Sequence, residues 1–403
     1  PSVYVIEHYQ EVIVHEEETG ETTMVTAPKP PQLIDAYTGP GFWAYLTASR
    51  FADHLPYYRQ EDILSRYGFR IGRSTQWRWM SALAMGVKPL VNLMRRLALQ
   101  SRVLGVDETP VKMLGGESKG SVKSYLWDAI GDGDYPYDCF YFTVDRSRDG
   151  PEQFLSGYRG YLQSDAYICY EIISKSNEEM LKVGCWAHAR RKFDECRSAF
   201  PIQAAKLESL IGMLFDVETQ IQELDDAERL SRRQSLSRHV LGLIWEYLES
   251  DAMQSPTVLP KSRFGQAAAY VRRHWEALNR FTEDPSIPID NNDCEQLMRR
   301  VATGRKNWMF KGSVAAGERA ANLLTIVCSA IRNDLDVRAY LDEVLRRALA
   351  GETDWSTLTP HAWKAEHPES IREYRKEERR QAADRKRTRR ARRRLLNKST
   401  GRR

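Results

Sequence analysis

Between Arg102 and Trp186 the apolar residues stop recurring at helical spacing and gather in short runs: Val103–Val106, Val122–Ile130, Asp138–Val144, Tyr161–Ser164 and Val183–Trp186. Gly-, Asp- and Pro-rich turns at 115–120 and 131–136 separate the first three runs, and residues 150–157 read as a short helix before the fourth. Three hairpin-linked strands followed by alternating helix and strand predict an α/β (α+β) domain built on a mixed sheet. On both sides the spacing is helical, over 42–51, 57–67 and 74–85 before the strands, and over 291–298, 317–331 and 337–349 near the end. From Ala187 to Thr282 nearly everything reads as helix, with breaks at Phe200-Pro201 and Ser255–Pro260, so a large helical block is expected to interrupt the sheet domain.

The N-terminal stretch alternates apolar and polar residues over 4–14 and 22–26 around an acidic turn, which predicts a hairpin, and Ala27-Pro28-Lys29-Pro30-Pro31 predicts a stiff linker. In the helical region after it, the glycine-containing turn 68–73 precedes a helix that Ser74 or Thr75 could cap and that carries Gln76, Arg78 and Trp79. That order suits either a helix-turn-helix DNA reader or a plain packing unit. No secretory signal is visible, and the start at Pro1 without Met suggests that an N-terminal portion is missing.

With 42% hydrophobic residues the 403-residue chain can build a core, which excludes general disorder. The longest apolar run, Leu323–Ile331, falls short of the roughly 20 residues of a membrane helix, so a soluble protein is expected. Six scattered cysteines argue for reduced thiols in a cytosolic setting. Charge is uneven: residues 371–403 hold 16 Lys/Arg against 4 Asp/Glu, while residues 1–370 hold 44 against 51. The basic tail can neutralise phosphates whatever their sequence.

Asp107 follows the apolar run Val103–Val106 and Asp165 follows Gly160–Ser164, so both are expected at strand ends that the sheet can bring together. Glu295 follows the cap-like Asp290-Asn291-Asn292-Asp293 and could close a third side. Three converging carboxylates suit hard divalent cations such as Mg²⁺, and two such ions can serve an in-line phosphoryl displacement. Any one of the three, taken alone, reads more simply as a solvated strand end or helix cap. Cys185 and His188 are spaced like half a zinc site without a second half, and His188 could equally be a satisfied core histidine. Arg190, Arg191 and Lys192 directly follow, and Arg305, Lys306 and Trp308 offer a similar mixture of cation and aromatic; each set suits DNA phosphates or a solvated face.

Val106-Asp107-Glu108-Thr109-Pro110-Val111, Gly160–Asp165, Gly184-Cys185-Trp186-Ala187-His188 running on to Phe193, and Pro288–Asn292 running on to Gly304–Trp308 together resemble, in order and spacing, the DDE transposases of the IS66 insertion-sequence type. The resemblance covers about residues 28–348. It implies an RNase H-like core split by the helical insertion, with Asp107, Asp165 and Glu295 binding two Mg²⁺ ions (Mn²⁺ as substitute) and Cys185 and His188 in the active-site surround. It also implies DNA as partner, a homo-oligomer that pairs element ends, accessory proteins of the same element, and a place in the bacterial cytoplasm at the nucleoid.

The boundaries expected on this basis are 1–31 for a remnant of a zinc module and linker, and 32–100 for a helical segment. The catalytic domain follows over 101–310 with its insertion at about 189–285, then a helical segment over 311–350 and the basic tail over 351–403. Two departures stand out. Cys294-Glu295-Gln296 replaces the usual Ala-Glu-Arg, and the family's N-terminal coiled coil and zinc module are absent apart from a tail-like stretch. A nuclease that cuts without joining and a silent DNA-binding remnant are the rival expectations.

Overall fold

The computed structural model describes residues 11–16, 22–26, 38–115, 120–250, 253, 258–308, 310–375, 377–385 and 388. The expected acidic turn, proline linker and end of the basic tail, together with half of the 255–260 break and most of the 115–120 turn, lie outside them. Strands β1 (Val12–Glu16) and β2 (Thr22–Thr26) pair antiparallel, as the alternation predicts.

Four helices follow: α1 (Pro40–Phe51), α2 (Tyr57–Arg66), α3 (Arg73–Gly86) and α4 (Lys88–Ala98). Proline at the first turn starts α1 and α4 at positions where its missing N–H costs nothing. The N-cap of α3 is Gly72, with no side-chain cap, so Ser74 and Thr75 sit inside the helix rather than capping it. Gln76 is buried and donates to the Ile71 carbonyl at 3.0 Å, and Trp79 packs edge-on against Phe42. Of the three residues that suggested DNA reading, only Arg78 is exposed.

The sheet runs β5 (Asp138–Thr143), β4 (Ser121–Ile130), β3 (Val103–Leu114), β6 (Gly160–Gln163), β7 (Met180–Val183). The first three strands are antiparallel, and β6 and β7 run parallel to β3. Helices α5 (Asp149–Phe154) and α6 (Ile168–Lys175) lead into β6 and β7. Strand β7 ends at Val183, where the apolar run Val183–Trp186 was expected to begin a strand. Cys185 turns the chain, and Trp186 opens α7 (Trp186–Asp194) with its indole N–H bonded to the Leu278 carbonyl.

The insertion continues through α8 (Pro201–Ile221), α9 (Asp226–Arg232), α10 (Arg238–Glu249), α11 (Arg263–Arg273) and α12 (Trp275–Asn279). These helices bury their own apolar cluster, which touches the sheet through Val103 and Val183. The chain then returns along α13 (Asn292–Trp308), which ends ten residues later than its apolar spacing suggests, into the short β8 (Phe310–Lys311) on the outer half of β3.

Helices α14 (Val314–Arg332), α15 (Val337–Leu349) and α16 (Pro360–Glu366) share one core with α1–α4 and the sheet. By length and composition α14 is apolar enough to cross a membrane, contrary to the reading of its run as too short. In the fold it is a core helix, buried at every residue from Asn322 to Ala330. Its Ser329 and Thr325 hydroxyls accept the outward N–H groups of Asp138 and Phe140, which closes the edge strand β5.

Candidate active site

The parallel ladder between β3 and β6 ends at the pair Gly105 and Gln163. Asp107 lies two residues beyond that row within β3, Asp165 two residues beyond it after the end of β6, and the Asp165 charge acts on Asp107. Asp165 follows its strand as expected. Asp107 lies inside β3 and not at its end, because β3 keeps its partner β4 as far as Leu114. What ends beside Asp107 is the other edge: β6 stops at Gly105 and β8 begins only at Lys112. Two side chains bridge that gap, Asn291 donating to the Val106 carbonyl at 3.0 Å and Arg305 bonding the Pro110 carbonyl.

Helix α13 can lie across this gap because Gly105 has no side chain: a Cβ there would stand 2.7 Å from Cys294 Sγ. Asn291 fixes the start of the helix twice, through Val106 and through its own N–H, which donates to Cys185 Sγ at 3.3 Å. Glu295, one helical turn on, is thereby brought to the side of Asp107 and Asp165. Asp165 accepts the Tyr167 N–H at 2.9 Å, an Asx turn that starts the connection into α6.

Burial pushes the Asp107 carboxyl up to about 7; the Glu108 N–H opposes the shift, and the charges of Glu108, Asp165 and Glu295 add to it. The three predicted carboxylates therefore share one electrostatic environment. Among the described residues no three His, Cys, Asp or Glu side chains are close enough as they stand to hold a metal ion. Glu295 is turned towards Arg191, whose Nη2 is 3.2 Å from both of its oxygens, and towards His188 Nε2 at 3.5 Å. The hard oxygen donors and the unbalanced acidity around Asp107 fit a divalent cation once Glu295 leaves that contact.

Burial lowers the His188 pKa against the pull of Glu295, and its Nδ1 is buried without a partner. Cys185 is buried, and burial drives its thiol up to about 11, so it sits at the site as a neutral hydrogen-bond acceptor. Arg190 is exposed, and Lys192 lies 4.6 Å above the Tyr270 ring. Arg305 holds the β3 edge through Pro110 and Thr109, Lys306 is exposed, and Trp308 ends α13 some thirteen residues beyond Glu295.

Sequence reasoning missed three neighbours. Asp128 lies opposite Asp107 on β4, fully buried, accepts the Asp107 N–H at 2.8 Å, and is held well above the usual carboxylate range by burial. A lone carboxylate inside Tyr125-Leu126-Trp127-Asp128-Ala129-Ile130 was the available signal. Glu108 is bonded by Arg146 and by the Tyr170 hydroxyl. Lys182 Nζ bonds the Ser164 hydroxyl and the Asp165 carbonyl, and burial draws its pKa down to about 8.

Residues 35–319 match the model of the family described as Transposase IS66 family. Three proteins of Sinorhizobium fredii (strain NBRC 101917 / NGR234) are similar along most of the chain. The uncharacterized protein y4jD is 32% identical over 86% of this chain and 70% of its own length. The uncharacterized protein y4qI is 32% identical over 82% and 64%, and the uncharacterized protein y4hP 30% identical over 81% and 63%. The chain thus spans less than two thirds of the latter two relatives. A family match over most of the chain, on the stretches that build this cleft, places the protein in the IS66 transposase family.

Proposed function

We propose that this chain cuts and joins DNA by metal-dependent phosphoryl transfer in an RNase H-like core, with Asp107, Asp165 and Glu295 as the metal-holding set. The observation that carries the reading is the common register of Asp107 and Asp165 beyond the last β3–β6 row, with Glu295 brought over them by α13. A three-stranded antiparallel half joined to two parallel strands supports the RNase H-like assignment.

Divalent ions of the Mg²⁺ class, one or two at these oxygens, would supply charge neutralisation at the phosphate and acidify the attacking hydroxyl. In the first displacement a water oxygen bonds to the scissile phosphorus while the bond to the 3′ oxygen breaks, which leaves a free 3′ hydroxyl on the element. In the second, that hydroxyl bonds to a target phosphorus and expels the target's own 3′ oxygen. Asn291 and the bare Gly105 hold α13 on β3 through both displacements. Lys182 fixes the backbone at Asp165. Arg191 and the exposed Arg190 stand at the rim, where a DNA phosphate can replace Glu295 as the partner of Arg191.

The test is cleavage of a labelled duplex carrying the element's end in Mg²⁺, with Asp107→Asn and Glu295→Gln as variants. The account expects cleavage to fall about a hundredfold or more in each, several kcal/mol of transition-state stabilisation, while DNA retention is kept. A variant that cuts at the wild-type rate removes its residue from the mechanism.

A further inference from the structure

Where α13 ends, three cations and three aromatic rings from six different elements are linked without an acid among them. Lys311 Nζ lies 3.9 Å above the Trp308 ring, and Arg50 Cζ lies 5.5 Å from the same ring and 4.1 Å from that of Tyr57. Arg319 lies 5.2 Å from the Trp77 ring, and its charge reaches Tyr57. Among the described residues, none of Arg50, Lys311 and Arg319 forms an ion pair with a carboxylate. The Trp308 indole N–H is buried and has no acceptor.

This arrangement is costly as mere packing. Lys311 is 6% exposed, and burial, with the Arg50 charge adding to it, pulls its pKa down to about 7. Burying a cation beside another cation destabilises the free protein, and an apolar residue of the same volume would do better there. The Arg50 guanidinium has the Tyr57 hydroxyl as a partner, but the Lys311 ammonium and the Trp308 indole N–H have no acceptor among the described residues. Only a ligand that is anionic and rich in oxygen acceptors satisfies them together.

We infer that this cluster, between α1–α3 and the far end of α13, is a second DNA contact that takes one backbone phosphate at Lys311, Arg50 and Arg319, beside the exposed Trp77. The choice of DNA over another phosphate ester rests on the function proposed above. Geometry adds to it: Trp308 is thirteen residues from Glu295 on one helix, roughly 20 Å by helical rise, the reach of about six nucleotides along a duplex strand. A rigid helix would then hold the scissile phosphate at one end and an anchoring phosphate at the other. Cations that meet a backbone phosphate bind DNA without regard to sequence.

The experiment measures Kd for a labelled duplex as a function of NaCl for the full chain, for Lys311→Met and for Arg319→Gln. A companion duplex series carries one neutral methylphosphonate at successive positions. The inference expects Kd to rise about tenfold in Lys311→Met, with the slope of log Kd against log salt reduced by about 0.9, the share of one phosphate contact. It also expects one methylphosphonate position to weaken the wild type but not the variant. If Lys311→Met does not fold, Arg319→Gln at the half-buried rim carries the same test. Wild-type slope and Kd in a folded variant overturn this contact and leave the catalytic reading standing, whereas a wild-type chain that fails to retain the duplex overturns both.

Discussion

Arg191 Nη2 stands 3.2 Å from both carboxylate oxygens of Glu295, which joins the first helix of the insertion to the helix that follows it across the cleft. The same contact gives the third carboxylate a cationic partner while its charge still acts on Asp107. On the proposed metal set, a cation held by all three carboxylates would compete with the guanidinium, and Arg191 would then act as a brake on metal binding that DNA can release.

Arg191→Gln should therefore tighten Mg²⁺ binding. The Arg191 side chain is 52% exposed, so the ion pair competes weakly, and a gain of about two- to fivefold is expected. Calorimetric titration of Mg²⁺ into the metal-free protein checks it. Unchanged affinity would show that Glu295 does not need to leave Arg191.

Gly105→Ala should separate stability from chemistry less cleanly than a triad variant does. The new methyl would meet Cys294 Sγ at 2.7 Å, so α13 must lift from β3. A loss of about 1–3 kcal/mol in denaturant unfolding, together with lost cleavage, is expected. Pairing it with Cys294→Ala, the residue usual in the family, makes room and should restore part of both.

Lys311 gives the free protein a pH dependence of known sign. Its pKa is pulled from 10.5 down to about 7 in the folded state, so the neutral form favours folding. The stability linked to this group is present above about 10 and is lost as pH falls through about 7. Lys311→Met removes the linkage and should exceed wild-type stability by about 1–3 kcal/mol near pH 6, with the difference shrinking towards pH 10. Chemical unfolding of both proteins at the two pH values decides it; equal stability at low pH would show that Lys311 is freely solvated.

Removal of residues 371–403 takes away 16 Lys/Arg and 4 Asp/Glu and should flatten the salt dependence of DNA binding without affecting the cleft. A filter-binding series over salt concentration reads the slope, and an unchanged slope would mean the tail does not touch DNA.

Most of the sheet was legible because its strands are short apolar runs between turn residues, and the paired aspartates because each follows such a run. Asp107 was misplaced at a strand end because apolar spacing marks where a strand is buried, while β3 continues as a half-exposed hairpin arm to Leu114. The length of α13 was hidden for the same reason: past Met298 it is stitched by polar contacts such as Arg305 to Pro110 and by a single buried face. Gln76 and Trp79 suggested a DNA-reading helix by residue type, yet packing against α1 and α2 turns both inward. Asp128 and the Arg50–Trp308–Lys311 cluster depend on pairings across 21 and about 260 residues, which no local pattern encodes.

The central claim is that one cleft performs both displacements. Its most direct test is a strand-joining assay with a labelled element end and a target plasmid in Mg²⁺ or Mn²⁺, comparing the wild type with Asp165→Asn. The account predicts labelled plasmid with the wild type, none with Asp165→Asn and none after chelation, with equal DNA retention throughout. Joined product from Asp165→Asn, or retention of DNA by the wild type with neither cutting nor joining in either metal, would contradict it.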